Sequence, residues 1–460
     1  MPSLCSAKLS SRGCGALCAL IAIPLLPEYF APVLAVLSLI LTLTDCRREG
    51  RPLRTGALAP YLTVYIVYTA AGALYSENSL SCGAIAAMWL LMVCVYFTLV
   101  NLLTTRERLL CFLQLLTLAV GLMGLMACVE YLVNLCFPGA IPLQFWDPLD
   151  EWVYRLSPIP IHLKSAGLRV GATFSNPNIF AEAMVMMLPF SLYCVTGAEK
   201  PKQRYLYLGC LLLGVIGTMF SFSRGSFFAL FAMTVAYIVL NLGYILHNRR
   251  LLISVLCGVL LILVFLTLIP NPITDRLETL DSNDVSIRER IRIWNAGATV
   301  FWSRLPENLS EVFTLLNVRH LLFGIGAGTE NTTRILLQAG VAGAPHLHNL
   351  FLQLLAEGGV ISLGLIVALI LRMAWTQIWL RFHGKQAYFF FSTMLTMLCG
   401  SMLFSLVEFL FLCPKLVGIF LMCAALSDAA DCCLGNGTLR PLPQGLIPFC
   451  GKRTDNKPQT

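Results

Sequence analysis

The chain alternates long apolar runs with short polar connections. The runs are Gly15–Leu26, Tyr29–Leu43, Ala57–Tyr75, Leu80–Leu102, Leu109–Cys136, Ile179–Val195, Tyr205–Ser221, Phe227–Leu246, Leu251–Ile269, Val360–Leu380, Ala387–Phe411 and Leu416–Leu426. Most approach the ~20 residues a helix needs to cross a bilayer. The pattern predicts an all-α, polytopic membrane protein with about twelve transmembrane helices. Two connections, Phe137–Asn178 and Pro270–Gly359, are too polar to span and too long to be idle turns. Within the second, Leu350, Phe351, Leu354 and Leu355 recur at helical spacing. They predict a short amphipathic helix at the membrane surface, opened by His348 and Asn349 and ended by Gly358-Gly359. A true span follows from Val360. Four units result: spans one to nine over 1–269 with the loop 137–178, a large loop over 270–359, three further spans over 360–427, and a polar tail over 428–460 expected to be disordered.

Composition supports lipid as the solvent. Of 460 residues, 57% are hydrophobic and 12% charged, against about 25% charged in a soluble domain. The net charge of +8 does not point to nucleic acid, because the basic residues sit in short loops between apolar runs. Arg47, Arg48, Arg51 and Arg54, then Arg106 and Arg108, then Lys200, Lys202 and Arg204, then Arg249 and Arg250, then Arg381 and Lys385 fall on alternate connections. By the positive-inside rule these connections and both termini are cytoplasmic, and the two long loops are outside. Most of the 18 cysteines lie in apolar runs and the loop Pro270–Pro345 has none, so a disulfide-stapled ectodomain is not expected.

Candidate chemistry collects on the outer side. Arg169 precedes Asn176-Pro177-Asn178, a cap followed by proline at the start of a helix, where an anion could bind. Arg224, in the tight connection Ser221-Phe-Ser-Arg-Gly-Ser226, is costly so near hydrocarbon unless a partner such as a diphosphate compensates it, or its side chain snorkels to lipid phosphate. In the long loop, Arg288 and Arg292 share one helix face and Arg290 and Trp294 another. His346, His348, Asn349 and Glu357 add two imidazoles, an amide and a carboxylate, although His348 could equally anchor a helix at headgroup level. Two-residue spacing should aim the two histidines differently, and no third clustered ligand suggests a zinc site. There is no P-loop and no Asp-x-Asp pair, and Gly324-Ile-Gly326-Ala-Gly328 reads as a flexible turn. No metal or other cofactor is expected. A transporter or flippase of lipid-linked sugars is the competing class, and it would want charges deep within spans. Glu130 and Glu408 lie in or near apolar runs but stand isolated in the sequence.

The order Arg169-x-Gly-Ala-Thr-Phe-x-Asn-Pro-Asn, Ser-Arg224-Gly, Arg290-x-x-x-Trp294, Gly-x-Gly and His348-Asn349-x-x-Leu with Glu357-x-Gly resembles the O-antigen ligase and Wzy-type polymerase superfamily over roughly 169–380. One departure is the extra Ala172 within the usual Gly-Thr-Phe run. The resemblance implies a metal-independent glycosyltransferase of the GT-C kind. Such an enzyme moves a glycan from an undecaprenyl diphosphate carrier to an acceptor sugar, lipid A-core for a ligase or another carrier-linked repeat for a polymerase, outside the inner membrane. It further implies His348 as general base and Arg224, Arg169 and Arg290 as diphosphate ligands. His346, Asn349, Glu357, Trp294, Asn176 and Asn178 would support them. Partners would be the carrier-linked glycan, a saccharide or lipid-linked acceptor and membrane lipids, with no nucleic acid.

Overall fold

The structure is a computed structural model and describes residues 9–136, 169–247, 285–302, 321–411, 413–435 and 440–441. The predicted run Leu251–Ile269 and most of the loop 137–178 lie outside the described residues. The helices are α1 (Ser11–Leu25), α2 (Ala31–Glu49), α3 (Ala59–Gly72), α4 (Ser79–Leu102), α5 (Arg106–Cys136), α6 (Pro177–Gly197) and α7 (Pro201–Phe220). They continue with α8 (Arg224–Leu240), α9 (Leu242–His247), α10 (Val285–Trp302), α11 (Thr329–Gln338), α12 (Leu350–Leu380), α13 (Lys385–Phe404) and α14 (Pro414–Leu434). Among the described residues, strand pairing is limited to Arg54 with Pro441 and Thr55 with Arg440.

The protein is an all-α, multi-pass membrane protein. Eight stretches among the described residues are helical, long and apolar enough to cross a bilayer, and the shorter α1 and α8 are also apolar. A helix satisfies its own backbone groups, which is why it is the element that lipid permits here. α6 and α14 form the centre, with most of their residues buried, whereas α2 and α7 turn much of their surface outward. Val33, Leu206, Phe231 and Leu371 are exposed apolar side chains, as a lipid-facing surface requires.

Three boundaries differ from the sequence reading. The apolar run ending at Phe411 does not stay helical, because α13 stops at Phe404 and residues 405–411 form a turn. Leu406, Val407, Phe409 and Leu410 disguised that turn as span. The last span does not end near Leu426. α14 runs on to Leu434, so the expected tail does not begin at Asp428. Asp428 is buried instead, accepting from the Leu58 N–H at 3.1 Å and from the Tyr96 hydroxyl at 2.5 Å. Finally, the His-Asn helix and the span after it form one element, α12, broken at Gly359 (φ 61°, ψ −166°). Glycine tolerates that positive φ.

Candidate functional site

The site is built where the start of α6, the end of α7, the starts of α8 and α12, and the turn after α13 meet. Its centre is Glu408, 3% exposed. Glu408 Oε1 lies 3.0 Å from His346 Nε2 and 3.0 Å from His348 Nδ1, and it accepts the Phe409 N–H at 3.2 Å. Its Oε2 accepts from Asn178 Nδ2 at 3.1 Å and sits 3.9 Å from Arg290 Nη2. Arg169 joins through Asn178, donating from Nη2 to Asn178 Oδ1 at 2.7 Å and from Nε to the Ser221 carbonyl at 3.0 Å. A carboxylate read as isolated in the sequence thus gathers residues from four parts of the chain.

Local backbone chemistry explains each placement. Asn176 caps α6 by accepting the Asn178 N–H at 2.8 Å, with Pro177 at the first helical position. Asn349 caps α12, accepting the Leu352 N–H at 3.0 Å and donating to the Leu406 carbonyl at 2.9 Å. That second bond ties α12 to the Glu408 turn, as does the Leu350 N–H on the Ser405 carbonyl at 2.8 Å. Residues 345–349 are not helical, and His348 is left-handed at φ 48°. The expectation that two-residue spacing separates the histidines therefore fails. The loop folds both rings onto one oxygen, with centroids 4.0 Å apart.

The surrounding elements clamp this loop. Trp294 of α10 donates from its indole to the Leu347 carbonyl at 2.9 Å, and the Leu347 N–H donates to Gln353 Oε1 at 2.7 Å. Arg290 is carried toward Glu408 by the same helix, while Arg292 donates to the Gly340 carbonyl at 2.7 Å. Glu357 does not face the histidines. It accepts from Gly328 N–H at 3.0 Å, Thr332 Oγ1 at 3.2 Å and Gln353 Nε2 at 2.7 Å. The glycine turn 324–328 is thereby pinned rather than flexible, and at Gly326 (φ 97°) any Cβ would collide with Ser76. Arg224 opens α8, where a Cβ on Gly225 would come 2.9 Å from Val407, next to Glu408 in the turn.

The Arg169 loop has its own staple. Glu130, 1% exposed, accepts the Gly171 N–H at 3.3 Å and the Ala172 N–H at 2.8 Å. Lys415, also buried, donates to the Thr173 carbonyl at 2.7 Å and lies over the Phe174 ring at 3.7 Å. Ala172 takes a left-handed φ of 49°, so the extra residue is absorbed in a tight turn and Arg169 still reaches Asn178. Sequence reasoning discounted Glu130 and Glu408 and passed over Glu182, which is fully buried with neither carboxylate oxygen hydrogen-bonded.

Electrostatics favour a charged Glu408 beside a neutral His346. Burial opposes ionisation of Glu408, but hydrogen bonds with His346 and His348 outweigh it and hold the carboxyl below its usual range. Burial pushes the His346 imidazole down. The His348 ring is 26% exposed, and in the tautomer whose Nδ1 donates to Glu408 its Nε2 is an acceptor. His346, His348 and Glu408 present ligand atoms within 4.8 Å of one another. The inference that a third metal ligand is missing therefore does not stand. Arg290 beside Oε2 works against a divalent cation in that position.

Residues 209–306 match the family model described as O-antigen ligase. Over that stretch, about a fifth of the chain, the protein is similar to the O-antigen ligase family. The match spans Arg224 and Arg290, and agrees with the resemblance read from the ordered motifs. No curated protein matches the chain.

Proposed function

We propose that the protein is a glycosyltransferase that moves a glycan from an undecaprenyl diphosphate carrier to an acceptor sugar hydroxyl at the outer face of the inner membrane. The observation that carries this reading is the convergence of His346, His348, Arg290 and, through Asn178, Arg169 on buried Glu408. His348 Nε2 takes the proton of the acceptor hydroxyl while the oxygen attacks the anomeric carbon. The bond from that carbon to the diphosphate breaks, and the diphosphate leaves with the electron pair. Glu408 holds the His348 ring in one tautomer and stabilises the imidazolium that forms, as a carboxylate does for any such histidine. Arg224, Arg169 and Arg290 meet the leaving diphosphate, whose charge grows as the bond breaks. The diphosphate ester carries the group-transfer potential, so no metal or nucleotide cofactor is invoked. Both termini lie in the cytoplasm in this reading.

The test is transfer in vitro from purified carrier-linked glycan, without ATP, to a sugar acceptor. Product formation supports the reading. Movement of the lipid-linked sugar between leaflets with no new glycosidic bond would replace it with transport. Mass spectrometry of surface glycans from a deletion strain then assigns the acceptor: lost attachment to lipid A-core marks a ligase, and lost chain length marks a polymerase.

A further inference from the structure

We infer that the protein holds a second binding site, for a phosphate-bearing anion, at the end of the bundle opposite the histidines. A cavity of about 330 Å³ opens there between the start of α5, the end of α6, and the starts of α7 and α13. That volume falls at the lower end of the roughly 300–1,000 Å³ typical of small-molecule sites. It lies a helix length from the histidine cluster, because α6 runs from Asn178 in one to Gly197 in the other. At 1.5 Å per residue the separation is about 30 Å. The site is therefore independent of the glycosyl-transfer reading.

The lining favours an anion. Arg106 is the first residue of α5, and Lys200 precedes α7. Both side chains are exposed, and neither has an ion-pair partner among the described residues. Gln203 and Gln386 come from the first turns of α7 and α13. Residues from the first turns of three helices thus line one opening; α7 and α13 carry no side-chain cap, whereas at α5 the Arg108 N–H donates to Thr105 Oγ1 at 3.4 Å. Glu199 and the C-terminal end of α6 are the acidic counterweight. Deeper in, Tyr193 and Tyr207 are 4% and 5% exposed. Neither hydroxyl has a hydrogen-bond partner among the described residues, though both residues line the cavity. Each hydroxyl is open to the cavity, where it can donate to a ligand in place of water. Leu110, Cys194 and Phe389 complete an apolar wall.

Cations at the mouth, phenol donors within and an apolar flank match a phosphate group attached to something greasy. An anionic phospholipid headgroup has that chemistry, and basic pockets between membrane helices bind such groups. A soluble phosphate compound shares the phosphate and lacks the chain. The experiment separates them. Full-length protein in detergent is incubated with phosphatidylglycerol or phosphatidylcholine, and retained lipid is counted by native mass spectrometry. In parallel, inorganic phosphate is titrated in a thermal-shift assay. Each probe is run on wild type, on the double variant R106Q/K200Q and on Tyr207→Phe. The thermal midpoint without added ligand verifies that each variant is folded.

Preferential retention of phosphatidylglycerol, reduced about tenfold in the double variant and less in Tyr207→Phe, supports the site with a lipid headgroup as ligand. Stabilisation by phosphate that the double variant loses supports it with a soluble ligand. Binding of both probes that is equal in wild type and variants, or absent from wild type, overturns the inference.

Discussion

The two ends of the helix bundle use charge in opposite ways. At the histidine end, charged and polar side chains are bonded to one another: Arg169 to Asn178, Asn178 to Glu408, and Glu408 to His346 and His348. At the other end, Arg106 and Lys200 border an open cavity and pair with no carboxylate among the described residues. The difference separates preorganisation from reception. A reacting site needs its donors fixed before charge develops, because their reorganisation would add to the barrier. A pocket that receives a charged ligand keeps its cations uncommitted, since each would otherwise have to be stripped of a partner. The paired end should therefore respond to substitution through turnover, and the open end through binding.

After His348 itself, the largest effect should come from Arg224. Arg224→Ala should lower transfer by roughly 10²–10³-fold, the usual worth of one charge-stabilising donor. Arg224→Lys keeps the charge without the bidentate fork and should retain a small part of the activity. Equal, near-normal rates for both in the carrier-glycan assay would leave Arg224 as a lipid-anchoring residue. Glu408→Gln comes next. It retains shape but loses the charge that orients and stabilises the His348 ring, so turnover should drop on the order of 10²-fold. An unchanged turnover would detach Glu408 from the chemistry. His346→Ala should cost about 1.5–3 kcal/mol of stability, the value of a hydrogen bond to a charged group. Thermal unfolding of the purified variant reads it.

Acidification gives a smaller, graded effect. The His346 pKa is lowered by burial, so the unfolded chain takes up its proton more readily than the folded one. Stability contributed there is present at neutral pH and is lost as pH falls below about 6.5. Glu408, held below its usual range by its two imidazole partners, contributes stability above the unfolded carboxyl pKa of about 4.3 and loses it as pH falls further. Thermal midpoints measured from pH 8 downward should decline in the first window, and His346→Ala should flatten that decline.

Topology can be tested on the same two ends. A cysteine at exposed Gln338 should react with an impermeant thiol reagent in intact cells, while one at exposed Lys202 should react only after permeabilisation. The reverse pattern would invert the orientation.

The spans were legible because lipid imposes a simple rule: a helix crossing it must be long and apolar, and α4, α5 and α12 are. What the sequence concealed were turns made of apolar residues and carboxylates held by distant partners. Residues 405–411 look like span because Leu406, Val407, Phe409 and Leu410 are apolar, yet Glu408 sits among them as the hub of the site. Its partners lie 60 and 62 positions away along the chain, beyond any local periodicity. One signal was present: a lone glutamate in an apolar run is costly unless paired, and Glu130, Glu182 and Glu408 all meet that description. The histidine pair was misjudged because helical geometry was assumed for residues that form a left-handed loop. The opposite pocket was invisible because its lining comes from four helix ends, each unremarkable alone.

The central claim is that His348 is the base and Glu408 its partner. The most direct measurement is turnover per folded protein for His348→Ala, with purified carrier-linked glycan and acceptor, alongside carrier binding by the same preparation. The account predicts a turnover lower by about 10²–10⁴-fold with carrier binding retained, because arginine and not histidine holds the diphosphate. Wild-type turnover in folded His348→Ala would contradict it.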